Sequence, residues 1–247
     1  MGFLVSGLVF WFIFGLVSSA SASCMNPFFD HAPKPSQNMD QLMQKAERGN
    51  RQAQFQLGIA YESGVGAERN YAEAVRWYRK AADAGEPGAQ NNLGSMYVRG
   101  LGVPQSDSEA VKWYMRAATE GHPAAENNLG FMYARGRTGA NFGPNPTEAV
   151  KWYLRAAASK YAPAEFNLGW TYFNDNGAMQ DFAEAVKWFR KAAGHGSAAA
   201  ENELGYAYEH GRGVTRDFRT AVKWYETAAQ HGSAEAQRNL SVLTAIR

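Results

Sequence analysis

The sequence repeats itself with a period of about 36 residues, and this periodicity constrains the fold more than any other feature. A Leu-Gly dipeptide recurs in steps of 36, 36, 39 and 36 residues, at Leu57-Gly58, Leu93-Gly94, Leu129-Gly130, Leu168-Gly169 and Leu204-Gly205. A tryptophan followed by a second aromatic residue keeps the same phase, at Trp77, Trp113, Trp152, Trp188 and Trp224. A period of this length is typical of one supersecondary unit per repeat, stacked into a solenoid.

Each repeat contains two helical patterns, which we name helix A and helix B. In the second repeat, Ala89, Leu93 and Tyr97 lie four residues apart and therefore share one face of helix A. Apolar residues then recur at the i, i+3, i+4, i+7 and i+8 positions of helix B, namely Ala110, Trp113, Tyr114, Ala117 and Ala118. Neither helix can cover its apolar face alone, so the pattern predicts an all-α fold in which neighbouring helix pairs stack.

The repeated glycine of the Leu-Gly dipeptide predicts a close contact in the core. A glycine inside a helix costs about 1 kcal/mol relative to alanine, and it recurs in every repeat. We expect a neighbouring helix to approach the backbone there, with the large aromatic residues of helix B filling the space. Partial units flank the full repeats, because Met39 to Gly49 matches a lone helix B and Ala236 to Ile246 a lone helix A.

The second repeat carries the fullest version of the pattern, from Ala89 to Gly121. It runs Ala-x-x-x-Leu-Gly-x-x-Tyr, then Gly-x-Gly-Val, then Ala-Val-Lys-Trp-Tyr-x-x-Ala-Ala-x-x-Gly, and it resembles the Sel-one-like repeat family, relatives of the tetratricopeptide repeats. The resemblance covers residues 39–247 and implies a right-handed α-solenoid of antiparallel helix pairs that serves as an adaptor or scaffold for protein complexes. It implies no reaction. In the third repeat Lys160 stands where other repeats have a helix-ending glycine, which leaves open how that helix ends.

A candidate binding face lies on helix A, at positions one before, two after and six after the repeated leucine, about 130° around the helix from it. Related solenoids line their concave surface with helix A, so the resemblance places these positions where a protein partner, or an extended segment of one, would bind. Aromatic and arginine side chains anchor partners, and asparagine can bond an extended backbone. The predicted partner-binding residues are Asn92, Arg99, Asn128, Phe131, Arg135, Asn167, Trp170 and Tyr206. The alternative is that the aromatic residues pack against the adjacent helix A and the asparagines hold the stack together.

The pattern of residues 1–22 predicts a signal peptide, because an apolar run is followed by small residues and by an A-x-A-like cleavage site that ends at Ala22. An uncleaved membrane anchor is the alternative, since Phe3 to Ala22 is just long enough to span a bilayer. Residues 23–38 contain several prolines without periodicity and predict a flexible tether. Cys24 is the only cysteine, which excludes an internal disulfide, and the small residues before it make it a candidate lipidation site.

Composition and spacing argue against several classes of function. The formal net charge is +2 without a clustered basic stripe, which argues against nucleic acid as a partner. The histidines lack zinc-ligand spacing and no Ser-His-Asp or Cys-His arrangement follows from the sequence, so we predict no enzyme activity, metal or cofactor. We predict a non-catalytic protein-binding adaptor or scaffold of the cell envelope or secretory pathway, exported to the periplasm or secreted, or anchored to a membrane by its N-terminus. A binder of cell-wall polymers or an envelope hydrolase is the alternative, with the aromatic column of Phe131, Trp170 and Tyr206 stacking on sugar rings.

Overall fold

The computed structural model describes residues 39–138, 143–174 and 179–245, and in these ranges the regular structure is α-helical, with no strand. The described residues form twelve helices: α1 (Met39–Glu47), α2 (Arg51–Ser63), α3 (Tyr71–Asp83), α4 (Pro87–Arg99), α5 (Asp107–Thr119), α6 (Pro123–Ala134), α7 (Pro146–Ala158), α8 (Ala162–Asn174), α9 (Phe182–Gly194), α10 (Ala198–His210), α11 (Phe218–Gln230) and α12 (Ala234–Ala245). None of these helices has both the length and the apolar character that crossing a bilayer requires. The predicted signal peptide, the tether and Cys24 lie outside the described residues.

The helices confirm the predicted alternation of helix A and helix B. The even-numbered helices from α2 to α10 carry the Leu-Gly dipeptides, and the odd-numbered helices from α3 to α11 carry the tryptophans. The chain divides into two compact units, whose described residues run from 39 to 164 and from 165 to 245. In the first unit each of α1 to α6 packs on the helix that follows it, and in the second unit each of α9 to α11 does the same. The fold is therefore the predicted all-α arrangement of stacked helix pairs.

Polar caps and left-handed glycines set the ends of the helices. The side chain of Asn70 accepts hydrogen bonds from the backbone N–H groups of Ala72 and Glu73, both at 3.1 Å, at the start of α3. The later B helices are capped in the same way by Ser106, Asn145, Asp181 and Asp217. Glycines in the left-handed conformation end α2, α4 and α10. Local chemistry therefore fixes where each helix starts and stops.

Lys160 adopts the left-handed conformation, with φ of +56°, at the position where glycine follows the other B helices. Those glycines, Gly85, Gly121, Gly196 and Gly232, have φ between +78° and +91°. The third repeat thus keeps the same turn without glycine, which answers the question that the sequence left open. A side chain in this region costs about 1–2 kcal/mol, so the surrounding repeat imposes the turn on Lys160.

The repeated glycine of helix A contacts the aromatic residue that follows the tryptophan of helix B in the same repeat. A Cβ atom added to Gly94 would lie 2.7 Å from Cε1 of Tyr114, and one added to Gly205 would lie 2.6 Å from Cδ1 of Tyr225, closer than real Cβ contacts. The same contact recurs at Gly58, Gly130 and Gly169. The predicted close approach is confirmed, and the ring of the second aromatic residue fills the space.

Gly205→Ala should destabilise the protein by about 1–3 kcal/mol, because the added methyl group overlaps the buried ring of Tyr225. Gly194→Ala is the matched control, since Gly194 ends α9, a Cβ atom there meets nothing within 4 Å, and alanine is the better helix former. Urea unfolding followed by circular dichroism measures both variants. Equal free energies of unfolding would contradict tight packing at Gly205.

Lys160→Gly should stabilise the protein by about 0.5–1 kcal/mol, because glycine adopts the left-handed conformation without a side-chain clash. The reciprocal variant Gly121→Lys places lysine at the equivalent position of the second repeat, where a Cβ atom meets nothing within 4 Å and only the backbone conformation is affected. It should be less stable than wild type by a similar amount. Thermal and urea unfolding test the pair, and a destabilising Lys160→Gly would show that the lysine side chain itself is needed.

Candidate partner-binding surface

In the first unit, the predicted residues Arg99, Phe131 and Arg135 reach the surface of the A helices. Both arginines are exposed and the phenylalanine is half-buried. The guanidinium carbon of Arg135 lies 5.5 Å from the centre of the Phe131 ring, which is a cation–π distance. Arg99 faces Glu62, with 3.8 Å between Nη1 and Oε1. These side chains present cationic and aromatic groups to solvent, as expected of a binding surface.

Asn92 and Asn128 are buried, which corrects their assignment to the accessible face. Each helix A is covered by neighbouring helices, so a side chain about 100° around from the core leucine still faces protein. Nδ2 of Asn128 donates to Oδ1 of Asn91 at 2.9 Å, and Nδ2 of Asn91 donates to Oδ1 of Asn92 at 3.3 Å. Asn92 then donates to the hydroxyl of Tyr78 at 3.2 Å, and that hydroxyl donates to Oε2 of Glu62 at 2.6 Å. The two asparagines therefore join repeats to one another.

These four hydrogen bonds run in one direction and end on the carboxylate of Glu62. Burial raises the pKa of Glu62, while the hydrogen bond from Tyr78 and the charge of Arg99 lower it. Burial and the neighbouring carboxylate raise the pKa of Tyr78 well above its ordinary value, so its hydroxyl keeps the proton that it donates. The sequence analysis missed Glu62 and Asn91. The available signal was the Asn-Asn pair before the repeated leucine, in the second and third repeats.

In the second unit, the rings of α8 and α10 form two groups of aromatic contacts, and Phe189 of α9 connects the two groups. Three predicted residues there are half-buried: Asn167, Trp170 and Tyr206. Trp170 stacks on Phe166 with 6.0 Å between ring centres, and Tyr206 stacks on His210 at 4.1 Å. Tyr206 also meets Phe173 edge-on, with the ring centres 6.0 Å apart. We call five rings the aromatic surface, of which Phe166 and Phe173 are buried, and Trp170, Tyr206 and His210 are accessible to solvent.

Arg212, which the sequence analysis did not single out, lies in the loop after α10 and is exposed beside the aromatic surface. Its guanidinium carbon lies 5.6 Å from the ring centre of Phe173, 5.4 Å from that of Phe182 and 5.5 Å from that of Tyr206. Within the described ranges, no carboxylate forms an ion pair with it. Cation–π contacts with three rings therefore position the guanidinium group, which remains exposed to solvent.

Glu203 replaces asparagine one residue before the repeated leucine in the fifth repeat. Asn239 donates to Asn202 at 3.0 Å, and Asn202 donates to Oε1 of Glu203 at 3.2 Å, which reproduces part of the asparagine chain of the first unit. Burial and, to a smaller extent, the charge of Glu235 raise the pKa of Glu203 to about 8, although the hydrogen bond from Asn202 opposes the shift. The carboxyl group is therefore mostly protonated at neutral pH.

Glu203→Gln should remove part of the pH dependence of folding stability. Folding raises the pKa of Glu203 above its ordinary value of 4.5, so its stabilising contribution is complete below that pH and is lost as the pH rises through about 8. We expect the variant to match wild type at acidic pH and to be more stable near pH 9 by about 1–3 kcal/mol. Urea unfolding across this pH range tests it, with Glu226→Gln on the exposed side of α11 as the control. A difference that does not change with pH would contradict the shifted pKa.

A carboxylate of helix A pairs with the end of helix B in each of the last three repeats. The pairs are Glu126 with Arg155 at 3.0 Å, Glu165 with His195 at 2.6 Å, and Glu201 with His231 at 2.9 Å. All three glutamates are buried. The glutamate lies three residues before the repeated leucine in all three repeats, while Arg155 lies one turn earlier on its helix B than the two histidines. In each case the pair joins the two helices of one repeat. In the described part of the chain, no cluster of three or more His, Cys, Asp or Glu side chains is arranged to hold a metal ion.

Comparisons with known proteins agree with the five helix pairs. The family model described as the Sel1 repeat matches residues 51–86, 87–122, 123–161, 162–197 and 198–233. Each matched segment begins at or next to the start of a helix A and ends just after the helix B of the same repeat.

Two solved structures resemble the chain over most of its length. A Sel1 repeat protein from Oxalobacter formigenes is 35% identical, with a TM-score of 0.71, over 83% of this chain and 59% of that one. A protective antigen of uropathogenic Escherichia coli strains, which has an SLR fold, is 30% identical, with a TM-score of 0.73, over 97% of this chain and 52% of that one. DAP3-binding cell death enhancer 1 of Mus musculus is 54% identical over 37 residues, which are 15% of this chain and 7% of the mouse protein. The chain thus spans little more than half of either structure and a small part of the mouse protein.

Proposed function

Because the chain belongs to the Sel1 repeat family, we propose that it is a non-catalytic adaptor or scaffold that binds a protein partner on the accessible face of its A helices. Sel1 repeat proteins are generally protein-interaction scaffolds. Within each compact unit, the stacked helix pairs present equivalent positions at regular spacing, which suits the recognition of an extended segment of a partner. The partner-binding residues in this proposal are the accessible ones: Arg99, Phe131, Arg135, Asn167, Trp170 and Tyr206.

The proposal rests on one helix A position, at which the residue type and its exposure change from the first two repeats to the last three. Two residues after the repeated leucine, the first two repeats hold Ile59 and Ser95, which are buried. The next three repeats hold Phe131, Trp170 and Tyr206 at this position, and all three are half-buried and open to solvent. Large aromatic side chains left in water forgo the free energy of burial, and aromatic residues are frequent anchors of protein interfaces.

Combined replacement of Phe131 and Trp170 by alanine should abolish capture of the partner protein in cells, because it removes two aromatic anchors of about 2 kcal/mol or more each. In-cell crosslinking, purification and identification of the captured protein give the measurement. Leu154→Ala is the control, because Leu154 is 43% exposed and lies on a B helix, away from the accessible face of the A helices. Circular dichroism and thermal unfolding of both variants establish that they are folded.

Unchanged capture by the Phe131→Ala, Trp170→Ala variant would contradict the proposed binding face. If the same variant lost binding to purified cell-wall material while partner capture was unchanged, the alternative of a cell-wall polymer binder would be favoured. Hydrolysis of that material by the pure protein would contradict the proposal that the chain is non-catalytic.

We further propose that the protein is exported, with residues 1–22 as a signal peptide or anchor and Cys24 as a lipidation site. The support is the apolar run followed by small residues in the sequence. Mass spectrometry of the mature N-terminus distinguishes cleavage after Ala22 from a retained anchor, and an acyl mass on Cys24 identifies a lipid tether. A cytoplasmic protein with residues 1–22 intact would contradict export.

A further inference from the structure

The same repeat position holds an arginine in two repeats, with different partners. Arg137 and Arg212 both lie eight residues after the repeated leucine. Arg137 makes a two-pronged ion pair with Asp107, the first residue of the preceding B helix, with Nε 3.0 Å from Oδ2 and Nη2 2.6 Å from Oδ1. In the fifth repeat the first residue of the preceding B helix is Phe182, and Arg212 lies over its ring instead. The carboxylate that neutralises Arg137 has no counterpart at Arg212.

The backbone beneath Arg212 is held in place. Gly211 and Gly213 flank it, both in the left-handed conformation, with φ of +70° and +72°. A Cβ atom on Gly213 would collide with the carbonyl oxygen of Phe182, so the loop packs directly on the start of α9. Together with the rings of Phe173 and Tyr206, this packing orders the guanidinium before any partner arrives, which lowers the entropy cost of binding.

The described carboxylates in the adjacent elements have other partners. Oε2 of Glu209 accepts the hydroxyl of Tyr225 at 2.7 Å. Asp217 caps α11 and accepts the hydroxyl of Thr220 at 2.6 Å, while Asp181 caps α9. The nearby cation Arg216 donates from Nε to the backbone carbonyl of Glu209, near the end of α10, at 2.8 Å. Among the described residues of these elements, each of these carboxylates is thus engaged elsewhere, and the exposed charge of Arg212 stays available to an anionic group.

We propose that Arg212 and the aromatic surface form a subsite for an acidic side chain, Asp or Glu, in an extended segment of the partner protein. Arg137 demonstrates that an arginine at this position can present Nε and Nη2 together to a carboxylate, which is the geometry that guanidinium groups favour. An apolar residue beside the acidic one would pack on Tyr206 and Trp170. This inference rests on the proposed function, since it specifies the partner chemistry of the same face.

Selection of short random peptides on the immobilised full-length protein tests the proposal directly. The selected peptides should contain Asp or Glu, and their Asn or Gln versions should bind wild type about 10- to 100-fold more weakly, as expected for loss of a charged hydrogen-bond pair. Fluorescence polarisation of the labelled peptides measures the dissociation constants. For Arg212→Gln the acidic and amide peptides should bind equally weakly.

Two further variants separate a recognition role from a structural one. Lys223→Gln removes the same charge from an exposed position of α11 and should keep the acidic preference of wild type. Phe182→Asp places a carboxylate at the position that corresponds to Asp107, the partner of Arg137 in the third repeat. The new carboxylate should pair with Arg212 within the protein. The preference for acidic peptides should then be lost although Arg212 is still present. Circular dichroism and urea unfolding establish that each variant is folded.

Selected peptides without an acidic residue, or an equal loss in Arg212→Gln and Lys223→Gln, would overturn the acidic subsite. If peptides without an acidic residue bound wild type but not Trp170→Ala, that result would still support the proposed binding face. Only the proposed specificity for acidic residues would then be contradicted. Failure to select any peptide would overturn recognition of an extended segment, whereas the proposed adaptor function is tested separately by crosslinking of the partner in cells.

Discussion

The contact between a helix A glycine and a helix B aromatic ring is the interaction on which the rest of this structure depends. It recurs in every repeat and sets how closely the two helices approach, since any larger residue in place of Gly94 or Gly205 would collide with the ring. A glycine is unfavourable within a helix, so burial of the ring must offset this cost. Once the pair is set, each repeat presents the same apolar surface to the next, and stacking follows from the need to cover it.

Polar side chains add specificity to this stack at the level next to the core. In the first unit, a directed chain of hydrogen bonds runs from Asn128 through Asn91 and Asn92 to Tyr78 and Glu62, so side chains of three repeats share one network. A buried network of this kind is favourable only when its members are satisfied. In the second unit Glu203 interrupts the asparagine pattern and remains mostly protonated at neutral pH. At the position before the repeated leucine, the first unit thus has hydrogen-bonded amide groups, whereas the fifth repeat has a protonated carboxyl group.

Function in a repeat protein arises from departures from the repeat. Positions that are the same in every repeat serve the stack, as the leucines and the glycines do, and the buried glutamates of the last three repeats add pairs between helix A and helix B. The accessible positions vary: a small or aliphatic residue becomes Phe131, Trp170 or Tyr206, and an arginine that is paired in one repeat lies over three rings in another. These departures are concentrated on the A helices and the loops that follow them, which form the face that we propose to bind a partner.

The sequence by itself determined the helix pairs, their boundaries and the glycine contact, because a 36-residue period and the 3.6-residue helix period act on the residues of one repeat at a time. It also identified the accessible aromatic positions. Only the tertiary structure decided which flanking positions are covered: a projection of a single helix placed Asn92 and Asn128 at the surface, but the neighbouring helices bury them. The ring contacts of Arg212 likewise depend on packing between segments far apart in the chain, and the left-handed turn at Lys160 was seen only in the structure. The physical reason is that burial and charge pairing are set by neighbours in space, which the periodicity of one helix does not specify.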